Sequence, residues 1–223
     1  MKIIECEQGT PAWVAARIGR PTSSNFDAIV TKSGTPSKSA DRYLAKLAAE
    51  WFLGQSLDEG RTQFMERGTA MEAEAVRFYE WERDTDTVPV GLCLTDDGRA
   101  GASPDRLVGD DGLVEVKCPS AEVHMSYLLG NPPGDYFVQQ QGQLWVTGRA
   151  WVDLLCYHPT FPKVLVRSYP DAEFIETLAK YVGALCDKLD AAKAKLADAK
   201  AAHDAARAAR EVVESENEPI FMA

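Results

Sequence analysis

Asp105 and Glu115 stand ten residues apart on either side of a turn sequence, and no other stretch constrains the fold as much. Arg106-Leu107-Val108 and Leu113-Val114 flank Gly109-Asp110-Asp111-Gly112, and Asp-Gly between apolar runs is a strong hairpin signal. A hairpin folds Asp105, the last residue of Ser103-Pro104-Asp105, back towards Glu115. If Val114 to Cys118 is a strand, its side chains alternate between faces, so Glu115 and Lys117 project to one side. Two carboxylates and an ammonium then gather at one end of a sheet.

Such a group suits metal-assisted hydrolysis of a phosphodiester. Mg²⁺ prefers carboxylate, carbonyl and water oxygens, neutralises phosphate charge and makes a bound water more acidic. Asp105, Glu115 and the Val116 carbonyl are the candidate metal ligands, and Mn²⁺ is expected to substitute. Lys117 is expected beside the attacking water, where a fixed ammonium stabilises the negative charge of the transition state. A Glu-x-Lys strand is on its own most often a solvated ion pair. The case therefore needs support from other segments.

Helical spacing over residues 64–81 places Glu72 on one stripe with Ala75, Val76 and Tyr79, bordering a buried face. A carboxylate there is costly unless paired or metal-bound, or unless its oxygens reach water at the rim. Gly68 in the same helix suggests close backbone approach. Further on, Gln139 and Gln143 share a face at i, i+4 spacing, and Tyr136 joins them at i−3. With Trp145 and Trp151 following, this polar stripe borders the core and is placed to orient a water or a phosphate. Near the start, Thr10-Pro11 reads as a helix cap and first turn, and Thr22-Ser23-Ser24 as the cap of a second helix. A capped helix start beside Arg17 makes an anion site, although plain capping beside a surface arginine fits the same residues.

Taken together, GRAGASPDRL, GLVEVKCP and DYFVQQQGQLWVTG, preceded by WVAARIGRPTSS and ERGTAMEAEAVRFYE, resemble the YqaJ-like viral recombinase family. This is the group of the phage lambda exonuclease within the PD-(D/E)xK nucleases, and the likeness runs in order from about Trp13 to Tyr169. It implies a Mg²⁺-dependent, processive 5′→3′ exonuclease acting on ends of linear double-stranded DNA, leaving 3′ single strands for an annealing protein in phage-type recombination. It implies that Glu72, Asp105 and Glu115 serve the metal, that Lys117 is the catalytic lysine, and that Gln139 is the glutamine following the sheet core. Arg17 and Ser24 match positions that hold the 5′-phosphate, and Tyr136 matches with a less defined role in DNA contact. Arg106 stands where many relatives carry glycine, and either alters the turn or adds a phosphate contact. A homotrimeric ring is implied as well. Two rivals remain open: a restriction-like or structure-specific endonuclease on the same core, and a non-catalytic DNA-end-binding module.

The expected fold class is α/β, a restriction-endonuclease-like mixed sheet flanked by helices, with a long C-terminal helix. Helices are predicted near 10–18, 24–31, 39–53, 64–83, 121–129 and 135–147. Strands are predicted near 87–95, 99–104, 106–109, 113–118, 150–157 and 163–169. The nuclease domain is expected over 1–190, with an Ala- and charge-rich helical extension and disordered tail over 191–223. Leu178, Val182, Leu185, Leu189, Ala192, Leu196 and Ala199 repeat at alternating four and three spacings, a seam of coiled-coil type. Three readings of the tail stay open: a passive solvated extension, which is the usual fate of a terminal segment, self-association through Leu185, Leu189 and Leu196, or a docking arm that presents Ile220-Phe221-Met222 to a partner.

No signal-peptide pattern and no membrane-length apolar run is present, so the expected location is the cytoplasm of a bacterial host, as a phage or prophage protein. The five cysteines are scattered, which fits reduced thiols and argues against an iron–sulfur cluster. His124, His158 and His203 show no ligand spacing. The net charge of −10 is awkward for a DNA enzyme, because affinity comes largely from Lys and Arg at phosphates. Positive charge is therefore expected in a narrow channel, with Arg17, Arg20, Lys32, Lys38, Arg42 and Lys117 as candidates.

Overall fold

The computed structural model describes residues 1–58, 63–131 and 133–216, with side chains for all of these except 63–70 and 209–216. The order is β1 (Lys2–Ile4), α1 (Pro11–Arg17), a 3₁₀ turn (Ser23–Ala28), α2 (Ala40–Leu53), α3 (Gln63–Arg83), β2 (Thr87–Pro89), β3 (Leu92–Leu94) and β4 (Gly101–Ala102). There follow β5 (Arg106–Val108), β6 (Gly112–Lys117), α4 (Ala121–Leu128), a 3₁₀ turn (Gly134–Tyr136), α5 (Phe137–Thr147), β7 (Trp151–Cys156), β8 (Val164–Ser168) and α6 (Ala172–Glu216).

The strands form two sheets. Five strands in the order β2-β5-β6-β7-β8 make a mixed sheet, parallel only between β6 and β7, and three make an antiparallel sheet β1-β3-β4. The strand predicted over 87–95 is thus two strands in different sheets. Gly91 lies between them, and a Cβ there would collide with the Ile4 and Cys6 carbonyls, so the chain turns where only glycine fits against β1.

The hairpin expected between Asp105 and Glu115 is present, with Leu107 opposite Leu113 and Val108 opposite Gly112. Its loop is Gly109-Asp110-Asp111, with the positive φ of 49° at Gly109. Gly112 is not a turn residue. It opens β6, and a Cβ there would run into the Trp151 ring.

Alternation along β6 divides its side chains between two layers. Val114 and Val116 pack with Ala75, Val76 and Tyr79 of α3 and with Val108 and Leu155. Leu113 packs on the other side with Leu144 of α5 and Val152. Glu115 and Lys117, in phase with Leu113, therefore face α5. The α3 layer also buries Asp153 of β7, which accepts from Tyr79 at 2.8 Å and from Arg167 at 2.7 and 2.8 Å. A buried carboxylate needs this pairing, and it ties α3 to β7 and β8.

The helix predicted over 24–31 is instead a six-residue 3₁₀ turn, and Thr22 makes no side-chain capping bond. A turn that short lacks the aligned dipoles of an α-helix start, so the expected anion site at a helix N-terminus is corrected. The C-terminal helix is continuous from Ala172 to Glu216 and crosses residue 190 without a break. Leu178, Val182, Leu185 and Leu189 are buried in the main core with Tyr43 and Leu47 of α2. That part of the seam is internal packing. Farther along, Lys193 donates to the Gly19 carbonyl at 3.0 Å and Lys200 to the Phe52 carbonyl at 3.3 Å. Ile220-Phe221-Met222 and the side chain positions around Gly68 lie outside the described residues.

None of the five cysteines, all among the described residues, is in a disulfide. Among the described residues no helix is long and apolar enough to cross a membrane.

Candidate nuclease site

Glu115 is almost fully buried, at 3% exposure, and three donors hold it. Lys117 Nζ and Gln139 Nε2 each reach Oε1 at 2.6 Å, and Gln143 Nε2 reaches Oε2 at 2.5 Å. The two glutamines come from successive turns of α5, which is why the i, i+4 spacing mattered. Such charge-assisted bonds leave the carboxylate little rotational freedom. Lys117 also lies 5.1 Å from the centre of the Tyr136 ring, so Tyr136 borders the same site. Burial opposes the Lys117 charge, but Glu115 and Asp105 outweigh it and raise the pKa above the ordinary lysine value.

Asp105 closes the hairpin side of the group. Its Oδ2 accepts from the Val116 N–H at 2.6 Å, which fixes the carboxyl across from β6. Part of its surface stays accessible, yet burial and then the Glu115 charge push its pKa well above the carboxylate range. Lys117 and the Val116 N–H pull the other way. Glu72, half-buried on α3, is also raised by burial, with Arg106 opposing.

Among the described residues no three His, Cys, Asp or Glu side chains converge as a metal-holding group. The donor chemistry nevertheless fits a hard divalent cation. Asp105 and Glu115 offer carboxylate oxygens, the crowding of acidic charge at Asp105 is what a cation would relieve, and a main-chain carbonyl and water can complete the shell. Val116 and Glu72 remain candidates for that role.

A second group adjoins the first through Ser103-Pro104-Asp105. Arg17 donates to Ser103 Oγ at 3.3 Å and to Thr22 Oγ1 and Ser24 Oγ at 3.1 Å, while lying 4.3 Å from the Trp13 ring centre. Trp13 Nε1 bonds the same Ser103 hydroxyl at 3.1 Å. The contacts of this guanidinium are hydroxyls and an aromatic face, not carboxylates, so its charge is held in place without being cancelled. Burial lowers the Arg17 pKa from its ordinary value, while Tyr43, then Asp58 and Glu50, and last Glu115 pull the other way. The group opens on a cavity of about 470 Å³ lined by Trp13, Arg17, Thr22, Ser24, Tyr43 and Lys46, among others.

The profile of the YqaJ-like viral recombinase domain matches residues 12–150, more than half of the sequence. The chain belongs to the YqaJ-like viral recombinase family. No curated protein matches it. Among solved structures, an alkaline exonuclease from Laribacter hongkongensis is 32% identical, with a TM-score of 0.75, over 87% of this chain and 99% of that one. The same enzyme in complex with dAMP matches at 32% identity and a TM-score of 0.76, over 85% and 98% of the two chains. A phage-related exonuclease from Haemophilus somnus 129PT shares the fold, with a TM-score of 0.64 at 15% identity, over 79% and 96%. This YqaJ-type chain thus has the α/β nuclease fold expected from its sequence.

Of the residues singled out in the sequence, the fold brings Asp105, Glu115, Lys117, Gln139 and Tyr136 together, and it brings Arg17 to Ser24. Glu72 and Arg106 lie on the α3 side of the sheet. Arg20 lines the cavity edge and donates to the Gly98 carbonyl at 3.0 Å. Lys32, Lys38 and Arg42 are exposed. Ser103 and Gln8 were not foreseen as parts of the site, whereas Thr22 was expected there as a helix cap and Trp13 as the start of the motif that carries Arg17. Gln8 donates to the Val90 and Pro104 carbonyls at 2.8 and 2.9 Å. Ser103 was legible in principle, since it precedes Pro104-Asp105. Gln8 carried no signal, because its partners are main-chain atoms.

Proposed function

We propose that this chain is a Mg²⁺-dependent 5′→3′ exonuclease that degrades ends of linear duplex DNA. The observation that carries the reading is the short link Ser103-Pro104-Asp105, which sets an anion pocket around Arg17 beside the acids Asp105 and Glu115. An end-directed nuclease needs both, one group to hold the terminal phosphate and one to cut near it. The alkaline exonuclease that is 32% identical over almost its whole length supports this reading, and its complex with dAMP supports release of mononucleotides.

Arg17, with Thr22 and Ser24, binds the 5′-phosphate; its fork of donors matches the non-bridging oxygens. Asp105 and Glu115, with the Val116 carbonyl and Glu72 as further candidates, hold Mg²⁺, which when bound neutralises the scissile phosphate and acidifies a water. Gln139 and Gln143 keep the Glu115 carboxylate in one orientation. Lys117, cationic at neutral pH, stabilises the charge that develops on the phosphoryl oxygens. Tyr136 flanks the terminal nucleotide. A homotrimeric ring enclosing the duplex would reconcile the acidic composition with processive action, and a single-strand annealing protein is the proposed partner for the 3′ strand.

Digestion of 5′-labelled linear duplex with Mg²⁺ should release labelled mononucleotides, and EDTA should stop it. A covalently closed circle should survive. Cleavage of the circle would favour the endonuclease reading, and absence of any metal-dependent release would favour a DNA-end-binding module.

A further inference from the structure

Arg20 and Lys193 meet where the turn after α1 packs against α6. Lys193 Nζ donates to the Gly19 carbonyl at 3.0 Å. Arg20, the next residue, donates through Nε to the Gly98 carbonyl at 3.0 Å and through Nη1 to the Ala16 carbonyl. Among the described residues neither side chain forms an ion pair, and Arg20 Nη2 makes no hydrogen bond. Both line a cavity of about 310 Å³ with Ile18, Gly19, Trp51 and Gly98. Asp190 also lines it, but binds Arg99, as Asp97 and Asp187 do. The acidic charge there gathers on Arg99, while Arg20 and Lys193 rest on main-chain carbonyls with their charges uncancelled. Burial lowers the pKa of both from the ordinary values; at Lys193 the Asp190 charge opposes this and Arg20 adds to it. Two partly desolvated like charges side by side are costly unless an anion joins them. The cavity adjoins the one around Arg17, since Ile18 and Arg20 line both.

We propose that Arg20 and Lys193 form a second phosphate-binding site, separate from the Arg17 pocket, that takes one phosphoryl group. Phosphate as the anion rests on the DNA-end reading above, and the donors suit it. Arg20 offers its Nη2 edge, and Lys193 the ammonium protons not bound to Gly19, a set that matches several oxygens of one phosphoryl group. A liquid water takes about 30 Å³, so a phosphoryl group fits the cavity with room to spare. Two sources carry this chemistry: a backbone phosphodiester of bound DNA, and the phosphate monoester of a released 5′-mononucleotide. The wall shared with the Arg17 pocket serves either, as a track for a strand or as a way out for a product.

The test measures binding by the full-length protein in EDTA, so its outcome does not depend on cleavage. The probes are labelled dAMP, by equilibrium dialysis, and a blunt 5′-phosphorylated duplex, by fluorescence anisotropy over a range of salt. If a mononucleotide is the source, Arg17→Ala should still bind one dAMP per chain, adding Lys193→Gln should abolish that binding, and adding Lys193→Arg should keep it. If DNA is the source, Lys193→Gln should weaken duplex binding and make the slope of log K against log salt shallower by about 0.9, the counterion release of one phosphate contact. Lys193→Arg should restore both. Arg20→Gln removes the other charge and provides a second neutral variant should Lys193→Gln fail to fold. A folded neutral variant with unaltered dAMP binding and unaltered duplex affinity and slope would overturn the inference and leave the nuclease reading standing. Loss at this site in a protein that releases no nucleotide with Mg²⁺ would uphold the phosphate site and overturn the nuclease reading alone.

Discussion

Replacing Gln143 by leucine should separate stability from catalysis. Gln143 is fully buried, its Nε2 binds Glu115 at 2.5 Å, and its Oε1 has no hydrogen-bond partner. A hydrogen bond to a charged group contributes about 1.5–3 kcal/mol, while an unsatisfied buried oxygen costs about 1–3 kcal/mol. Gln143→Leu removes both, and the leucine is close to glutamine in size. The two changes offset, so folding stability should move by no more than about 1 kcal/mol. Glu115, however, loses one of its three donors and the freedom of its Oε2 increases. A loss of about 1.4–2.7 kcal/mol of transition-state stabilisation corresponds to a rate about 10- to 100-fold lower. Urea denaturation and initial rates on end-labelled duplex measure the two quantities on the same preparation. A variant destabilised by several kcal/mol that cleaves at the wild-type rate would refute the assignment of Gln143 to the site.

Asp105 yields a pH test. Its folded pKa is raised, so it stabilises the metal-free protein at pH below the ordinary aspartate value of about 3.9, and that contribution is lost as pH rises through the raised value. In EDTA the melting temperature of wild type should therefore fall relative to Asp105→Asn as pH rises from acid towards neutral, and parallel curves by scanning fluorimetry would refute this. Arg17→Ala should reduce the preference for 5′-phosphate over 5′-hydroxyl ends, read from paired digestions, whereas equal consumption of both ends by wild type would return Arg17 to a structural role. Gly112→Ala pushes a methyl into the Trp151 ring and should cost about 1–3 kcal/mol, visible as a lower urea midpoint.

The sequence carried the hairpin, the two layers around β6 and the grouping of Asp105, Glu115, Lys117 and Gln139, because each depends on local periodicity. Spacings of two in a strand and four in a helix fix which side chains share a face before any tertiary contact forms. The break at Gly91 was illegible for the opposite reason. Nothing near Gly91 reveals that residues 2–6 will lie against it, so one strand was expected where two sheets divide. The 3₁₀ turn after Thr22 was missed because its hydroxyls look like caps, and the contact that claims Thr22 and Ser24 is the Arg17 side chain. Gly112 was misread as a turn residue because the bulk that demands a glycine there is Trp151, thirty-nine residues away.

Gln8 gives the two sheets a common fastening. The chain crosses between them twice, once near Val90 and once at Pro104, and one amide nitrogen binds the carbonyl at both crossings. One crossing enters the three-stranded sheet and the other leaves it for Asp105. The pocket around Arg17 leans on Ser103 at the edge of the smaller sheet, and Glu115 belongs to the larger. A single side chain, bound to the carbonyl of the residue between Ser103 and Asp105, thus acts as the pin of a pair of calipers: it fixes the gap between the place where a strand end would be gripped and the place where it would be cut.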